Sequence, residues 1–131
     1  AGVAMLLALA AGYVIGNLCI KELVMRPRPF VTHSDLTALL DPGDPWSFPS
    51  GHALSSFAAA TALWCFHKKT GVLALVLAAL IAFSRLYASV HYPTDVLAGM
   101  LIGIALAHAA AFLTDRIIDT FHSIRLRKGD K

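Results

Sequence analysis

Charged side chains are scarce in this sequence. Only 15% of the 131 residues are Asp, Glu, Lys or Arg, while 57% are hydrophobic, which is unlike the composition of ordinary soluble domains. The formal net charge is +3, but the basic residues fall into small groups between apolar runs, and no basic stripe or nucleic-acid motif is present. This pattern argues against a nucleic-acid partner and makes a membrane protein the first class to test.

Cysteine is rare as well. The two cysteines, Cys19 and Cys65, both lie inside apolar runs, where a cysteine usually acts as a small packing residue. We therefore expect no disulfide framework, and the cysteines leave the cellular compartment undecided.

Long uncharged segments fill most of the sequence. Residues 1–20 contain no charged side chain, and residues 96–114 contain none apart from His108, which can be neutral; each segment is long enough to cross a bilayer as a helix. Residues 53–66 and 70–83 are shorter uncharged runs, which alone would suit buried helices of a soluble protein equally well. Lying between two clear spans, they are interpreted as short spans. The predicted fold class is therefore all-α, a multi-span transmembrane helix bundle that forms a single membrane-embedded domain over residues 1–131.

The start of the sequence is already apolar. A signal peptide is one interpretation of residues 1–20, but the segment has no basic residue at its start and stays apolar until Lys21, which is not typical of such a peptide. We interpret it as a transmembrane helix of a chain that lacks upstream helices.

Prolines and turn-forming residues mark the connection after the first helix. Pro27 and Pro29 prevent a regular helix there, because each lacks an amide donor and crowds the preceding turn. Residues 41–45, with the sequence Asp-Pro-Gly-Asp-Pro, predict a turn. Residues 36–40 are predicted to form a short helix on the membrane surface.

The later helix ends can also be predicted. Ser50 is a suitable N-cap for the second helix, since its hydroxyl can accept a hydrogen bond from a free amide of the first turn. Pro93 suits the first turn of the fourth helix, which we expect to end near Thr114, before a mixed-charge tail of residues 115–131.

Counting four crossings assigns each connection to a membrane face. Residues 21–52 and 85–95 then emerge on one face, and residues 67–69 and the tail emerge on the other. The second face carries seven of the eleven basic residues, namely Lys68, Lys69, Arg116, Arg125, Arg127, Lys128 and Lys131. Because basic residues are enriched on the cytoplasmic side, the first face is predicted to be extracytoplasmic.

Two glycine pairs have the spacing G-x-x-x-G, which allows helices to approach closely. They are Gly12 with Gly16 and Gly99 with Gly103. We expect them to pack helices within the subunit, with a dimer contact as the alternative. The oligomeric state is not predicted.

Three polar clusters interrupt the apolar sequence and meet, in this topology, at one membrane face. They are Lys21 with Arg28-Pro29, then Pro49-Ser50-Gly51-His52, then Ser84-Arg85 with His91 and Asp95. A guanidinium group suits a phosphate or carboxylate oxygen, and a histidine four residues before an aspartate can be held in one tautomer by that carboxylate. Such groups, with the amides of a helix N-terminus, can bind a phosphoryl group and attack it.

The clusters resemble the three signatures of the type 2 phosphatidic acid phosphatase family, K-x6-R-P, P-S-G-H and S-R-x5-H-x3-D, and this sequence fills every specified position. The resemblance covers residues 21–95. It implies a phosphatase that works through a phosphohistidine, without a metal or another cofactor. It implies phosphate binding by Lys21, Arg28, Ser50, Gly51 and Arg85. It also implies three catalytic residues: His91 as the nucleophile, Asp95 as the group that orients it, and His52 as the acid and base.

The substrate implied by the resemblance is a lipid phosphate or diphosphate. Residues 26–30 and the short loop between the first two motifs resemble bacterial undecaprenyl diphosphate phosphatases, although those enzymes often vary the position occupied here by Gly51. Phosphatidylglycerophosphate or phosphatidate is the alternative substrate. Arg26 has no place in the family pattern and is expected to contact a second phosphate or a lipid headgroup.

Other interpretations of the same residues stay open. Taken alone, His91 and Asp95 suit a helix-capping pair, and Arg85 suits a side chain that reaches from a helix end to the membrane surface. A metal site built from the two motif histidines with Asp95 and Asp44 is the rival chemistry, although the nearby cations would repel a divalent ion. A non-enzymatic protein that binds anionic lipids is the alternative from another functional class.

Overall fold

The computed structural model describes residues 1–129, with side chains through Arg125. Predictions that concern Arg127, Lys128 and Lys131 therefore lie outside the described side chains. Within residues 1–129 the chain is helical and has no β-strand; extended residues pair only in an isolated antiparallel bridge between Pro27 and Trp46. The predicted all-α class is confirmed. The helices are α1 (Gly2–Gly12), a π-helical segment (Tyr13–Ile20), α2 (Lys21–Val24), α3 (Pro29–Thr32), α4 (Gly51–Phe66), α5 (Lys68–Tyr87) and α6 (Pro93–Gly129).

The first three of these elements form one continuous helix, Gly2–Val24. Its π-helical turns lie directly before Lys21. Such turns are often found at functional sites. The helix ends at Met25, whose left-handed backbone conformation, with φ of 46°, turns the chain away.

In the part of the chain that the structure describes, three helices are long and apolar enough to cross a membrane: Gly2–Val24, Lys68–Tyr87 and Pro93–Arg125. These correspond to three of the four predicted spans. The remaining helix, α4, has 16 residues and measures about 24 Å at 1.5 Å per residue. It is therefore shorter than the roughly 30 Å hydrocarbon core of a bilayer.

The short helix α4 lies at the centre of the bundle, packed against α1, α5 and α6. Its contacts with α1 and α6 are made by small residues, Ala4, Ala8, Ala58, Ala62, Ala107, Ala110 and Ala111. Large apolar side chains point outward and are more than half exposed, including Leu6, Leu73, Leu80, Phe83 and Leu101. Small residues inside and large ones outside are typical of helices that pack together in lipid.

Both glycine pairs face α4, as the within-subunit interpretation predicted. Gly12 and Gly16 lie against the side chain of Leu54, while Gly99 and Gly103 lie against the backbone of α4. A Cβ atom at Gly99 would come 2.5 Å from the carbonyl oxygen of Ser50. Glycine is therefore required for the close approach of α6 to α4.

Three local predictions are wrong. Residues 36–40 form no helix and run through irregular backbone and bends. Pro29 was predicted to prevent a helix, but the four-residue helix α3 begins at Pro29 itself, which occupies the first position, where no amide donor is needed. The last helix does not end near Thr114 but continues to Gly129, since the sequence contains neither glycine nor proline between residues 104 and 128.

Candidate active site

A cavity of about 540 Å³ opens where the first helix meets the start of α4, the end of α5 and the turn that precedes α6. Its lining draws on all three sequence motifs, through Lys21, Arg28, Gly51, His52, Arg85 and His91. The prediction that these motifs meet at one end of the bundle is confirmed. Two of the predicted site residues, Ser50 and Asp95, are fully buried and lie behind the lining.

His91 is buried and is held by a backbone carbonyl. Its Nδ1 lies 2.8 Å from the carbonyl oxygen of Ser47. Because a carbonyl oxygen only accepts hydrogen bonds, Nδ1 carries the proton and donates it, which leaves Nε2 of the neutral ring unprotonated. This Nε2 lies 3.5 Å from Nη1 of Arg28. The imidazole is thus fixed with its lone pair on the side of the arginine.

The carboxylate of Asp95 was expected to orient His91 directly, and the geometry differs. Its Oδ2 lies 3.7 Å from Nδ1 of the histidine, which is longer than a hydrogen bond. Oδ2 instead accepts the Tyr92 amide at 2.8 Å, as the third residue of a helix does when it caps the helix start. The carbonyl of Ser47 therefore takes the hydrogen-bonding position that the sequence pattern assigns to Asp95.

Arg26 is the second partner of Asp95. Its Nη1 donates to Oδ1 of Asp95 at 2.8 Å and to Oγ1 of Thr94 at 2.7 Å. The guanidinium also stacks on the ring of Tyr92, 4.1 Å from its centroid. In the structure this arginine, which was expected at a second phosphate or a headgroup, neutralises the buried carboxylate of Asp95 beside His91.

Arg28 is 2% exposed and is oriented by three oxygen acceptors. Its Nε donates to the backbone carbonyl of Asp44 at 2.8 Å, its Nη2 donates to Oδ1 of Asp44 at 3.0 Å, and its Nη1 donates to the carbonyl of Val90 at 2.8 Å. The guanidinium therefore links the long connecting loop to the backbone just before His91.

The backbone beside Arg28 fixes that loop in turn. The amide of Ser47 donates to the carbonyl of Arg26 at 2.8 Å, and its hydroxyl donates to the carbonyl of Pro27 at 3.3 Å. Ser47 is thereby positioned with its own carbonyl at His91.

Asp44 bridges two of the predicted phosphate-binding cations. In addition to its contacts with Arg28, its Oδ2 lies 3.1 Å from Nζ of Lys21. Partial burial of Asp44 alone would raise its pKa, but the hydrogen bonds and positive charges of Lys21 and Arg28 hold the pKa below its usual value. The metal-site interpretation used Asp44 as a ligand; among the residues that the structure describes, no three such side chains are grouped to hold a metal ion.

The start of α4 forms another wall of the site. The Oγ of Ser50 accepts the Ala53 amide at 3.4 Å, so the predicted N-cap is confirmed. The Ser50 amide donates to the carbonyl of Asp95 at 3.0 Å, which joins the starts of α4 and α6. The hydroxyl predicted to bind phosphate is thus buried as a cap, whereas Gly51 and the exposed ring of His52 line the cavity.

Arg85 reaches the cavity from the last turn of α5. Its Nε and Nη2 lie 3.2 Å from Oγ of the neighbouring Ser84. In the described part of the chain it forms no salt bridge, so its charge is the least neutralised of the three motif cations.

Asn17 lines the same cavity and was not singled out from the sequence. Its side-chain oxygen is buried, has no hydrogen-bond partner among the described residues, and lies 3.1 Å from the position of a Cβ at Gly51. A signal was present, since an amide side chain within an uncharged span, four residues before Lys21, is a polar group in a membrane segment.

Comparison with known proteins gives a consistent family. A family model described as the PAP2 superfamily matches residues 1–118. The bacitracin transport permease protein BcrC of Bacillus licheniformis is 37% identical over 98 residues, which cover 75% of this chain and 48% of that protein. An undecaprenyl-diphosphatase of Sulfolobus acidocaldarius is 36% identical over 104 residues, 78% of this chain and 50% of that protein. The chain thus spans about half the length of these curated relatives.

A solved structure has the same arrangement of helices. The crystal structure of a transmembrane PAP2-type phosphatidylglycerolphosphate phosphatase from Bacillus subtilis matches with a TM-score of 0.73 and 29% identity, covering 88% of this chain and 60% of that one. The family match extends over most of the sequence, and the motif side chains surround one cavity at the end of apolar helices. This integral membrane protein belongs to the PAP2 superfamily.

Proposed function

We propose that this protein is a membrane lipid phosphatase that hydrolyses a lipid diphosphate, undecaprenyl diphosphate, through a phosphohistidine at His91. The observation that carries the proposal is the geometry of that ring. Its Nδ1 is fixed on the carbonyl of Ser47 at 2.8 Å, and its Nε2 lies beside Arg28 in a cavity lined with cations. An imidazole held in this way is a nucleophile that faces an anion-binding site.

The phosphoryl group is bound by Lys21, Arg28 and Arg85 together with the backbone at the start of α4. Phosphoryl transfer spreads negative charge over the equatorial oxygens, so catalysis depends mainly on fixed positive groups placed around them. The free amides of the first turn of α4 add a helix N-terminus, which favours anions. Gly51 keeps that turn accessible because it has no side chain there.

The reaction proceeds in two balanced steps. Nε2 of His91 forms a bond to phosphorus as the bond to the leaving oxygen breaks, and the electron pair of that bond goes to the oxygen, which takes a proton from His52. Water then attacks the phosphohistidine and gives a proton to His52, while the electron pair of the N–P bond returns to Nε2. General acid and base catalysis of this kind typically accelerates a step by about a hundred- to ten-thousand-fold.

Asp95 supports His91 from a distance in this mechanism. The ring gains positive charge when Nε2 bonds to phosphorus, and a buried carboxylate 3.7 Å from Nδ1 stabilises that charge. Its hydrogen bond with the Tyr92 amide also holds the turn that carries the histidine.

The shape of the cavity supports a lipid substrate. Apolar side chains, including Leu9, Leu40, Leu54 and Val90, line it beside the cations. A headgroup can therefore enter the polar part while its tail stays in the bilayer. Similarity to the undecaprenyl-diphosphatase of Sulfolobus favours undecaprenyl diphosphate. Similarity to the phosphatidylglycerolphosphate phosphatase of Bacillus subtilis makes phosphatidylglycerophosphate the second candidate.

The proposed location is the cytoplasmic membrane, with the site on the extracytoplasmic side. The end of the bundle opposite the cavity carries Lys68, Lys69, Arg116 and Arg125. Basic residues near helix ends favour the cytoplasmic side.

Phosphate release by the purified protein tests the proposal. Undecaprenyl diphosphate, phosphatidylglycerophosphate and phosphatidate would be compared, each with wild type, His91→Ala and the control His122→Ala, which removes an exposed histidine of α6. The His91 variant is expected to lose at least about a thousandfold in kcat, as removal of a nucleophile does, while the control keeps its rate. Retained hydrolysis in His91→Ala would remove that residue from the mechanism, and no hydrolysis of any lipid by wild type would favour a lipid-binding protein.

A further inference from the structure

A negatively charged side chain lies among the groups proposed to bind phosphate. The carboxylate of Asp44 contacts Lys21 Nζ at 3.1 Å through Oδ2 and Arg28 Nη2 at 3.0 Å through Oδ1. One carboxylate thus bridges two of the three motif cations with separate oxygens, as two oxygens of a phosphate group would.

The contacts of Arg28 indicate that Asp44 and a phosphate oxygen compete for the same donor of its guanidinium group. Its Nε and Nη1 donate to the backbone carbonyls of Asp44 and Val90, and Nη1 also lies against His91. The guanidinium is 2% exposed, so it has little room to turn toward another partner. Oδ1 of Asp44 is its one side-chain oxygen partner in the described residues, and a phosphate oxygen gains the same Nη2 donor by replacing it.

Charge decides which ligands can replace a carboxylate. Asp44 carries one negative charge, and its lowered pKa keeps it ionised at neutral pH. A phosphomonoester carries about −1.5 to −2 at pH 7, and a lipid diphosphate carries at least as much. A phosphodiester headgroup carries only one negative charge, so it gains no Coulombic advantage over the carboxylate.

We propose that Asp44 is a specificity-determining residue that keeps phosphodiester headgroups out of the site while terminal phosphates and diphosphates displace it. The inference rests on the proposed phosphatase function and adds a reason for its selectivity. In a bilayer, phosphodiester lipids compete for any exposed cluster of cations. A carboxylate of equal charge, tethered to the protein, competes with them at every encounter.

The loop around Asp44 has room to release it. The Asp44 side chain is 40% exposed, and the adjoining Gly43 has a φ of 76°, which glycine adopts without strain. A second cavity of about 620 Å³ lies along residues 38–45 and Phe30. Movement of this segment therefore does not require the helices to separate.

The test compares two short-chain lipids in detergent micelles. Dioctanoyl phosphatidate is the monoester substrate, and dioctanoyl phosphatidylglycerol is the diester competitor. Wild type would be compared with Asp44→Asn, with Asp44→Ala as a second variant should the first fold poorly. The matched control is Asp35→Asn, which removes the same charge from an exposed position of the same connection.

Loss of the Asp44 charge is expected to lower the inhibition constant of the diester about tenfold or more, the effect of one charged hydrogen bond. The monoester KM should change less, and Asp35→Asn should behave as wild type. Equal weakening of both lipids in the Asp44 variants would show that the carboxylate only positions Lys21 and Arg28, and would overturn the inference. That result leaves His91-dependent hydrolysis intact, so it is distinct from failure of the proposed function.

Discussion

Asp95 is connected to its surroundings by strong, directional contacts, yet none of them is a hydrogen bond to His91. Its two oxygens bind Arg26 and the Tyr92 amide. The imidazole is oriented instead by a backbone carbonyl, which no substitution removes. At the residue scale, the carboxylate near His91 and the group that orients its ring are therefore separate: the first is Asp95 and the second is the carbonyl of Ser47.

Replacement of Asp95 by asparagine tests that separation. The ring should keep its hydrogen bond to Ser47, but it loses the carboxylate charge that stabilises the positive ring. Asp95→Asn should therefore lower kcat by about ten- to a hundredfold, with little change in KM. The measurement is steady-state hydrolysis beside His91→Ala. If both variants lose activity equally, Asp95 contacts the histidine directly during the reaction.

Arg26 provides a second test of the same pair. Because it neutralises the buried carboxylate at 2.8 Å, Arg26→Ala should itself lower stability and activity. The double variant Arg26→Ala with Asp95→Asn should then cost less than the sum of the single changes, since groups in direct contact couple by about 0.5 to 3 kcal/mol. Thermal unfolding of the four proteins in detergent measures this, and strict additivity would contradict the pairing.

Sequence reasoning at this scale finds side chains and misses backbone groups. Lys21, Arg28, Gly51, His52, Arg85 and His91 were all selected from the motifs and all line the cavity. The carbonyl of Ser47 has no signature in a sequence, because every residue carries a carbonyl. The place of Asp44 depends on how the loop folds back onto Arg28, and local turn propensity does not predict such a contact.

At the element scale, the site depends on how closely α6 approaches α4. Gly99 and Gly103 allow backbone contact between these helices. The hydrogen bond from the Ser50 amide to the Asp95 carbonyl lies at the same junction. The glycines therefore set the distance between the first turn of α4 and the turn that carries His91.

A larger side chain at this junction should separate the two turns. Gly103→Val is expected to destabilise the protein by about 1 to 3 kcal/mol or more, the usual cost of overpacking, and to lower activity as well. The control is Gly2→Ala, where an added Cβ meets nothing within 4 Å. Melting temperatures in detergent provide the comparison, and an unchanged value for Gly103→Val would show that the helices are not in close contact.

Helix positions were predictable from the apolar runs, whereas helix ends were less so. The start of α4 agrees with Ser50 as a cap, and the helices α4 and α5 cover the predicted runs of residues 53–66 and 70–83. The length of α6 was underestimated because charged residues after Thr114 end the apolar run without ending the helix. The irregular path of residues 36–40 depends on tertiary contacts, which cannot be predicted from composition.

At the scale of the whole molecule, alternating helix directions gather three distant motifs at one end. The prediction of this convergence needed only the order of the apolar segments, because each helix carries the chain to the other end. The motifs converge as predicted although α4 is shorter than the hydrocarbon core of a bilayer.

The orientation of the bundle can be measured directly. The extension of α6 beyond the apolar segment carries Arg116 and Arg125 away from the cavity, so a reporter fused after Lys131 should be cytoplasmic. A reporter fused into the loop at Asp35 should be extracytoplasmic. The opposite pair of results would reverse the proposed orientation.

Trapping the covalent intermediate tests the central claim most directly. Wild type and His52→Ala would be mixed with lipid diphosphate labelled on its terminal phosphate, quenched in alkali, in which phosphohistidine survives, and digested for mass spectrometry. Label is expected on His91, with more of it in His52→Ala because water is no longer activated, and none in His91→Ala. Active wild-type protein that never carries label on His91, or carries it on His52 instead, would contradict the proposed mechanism.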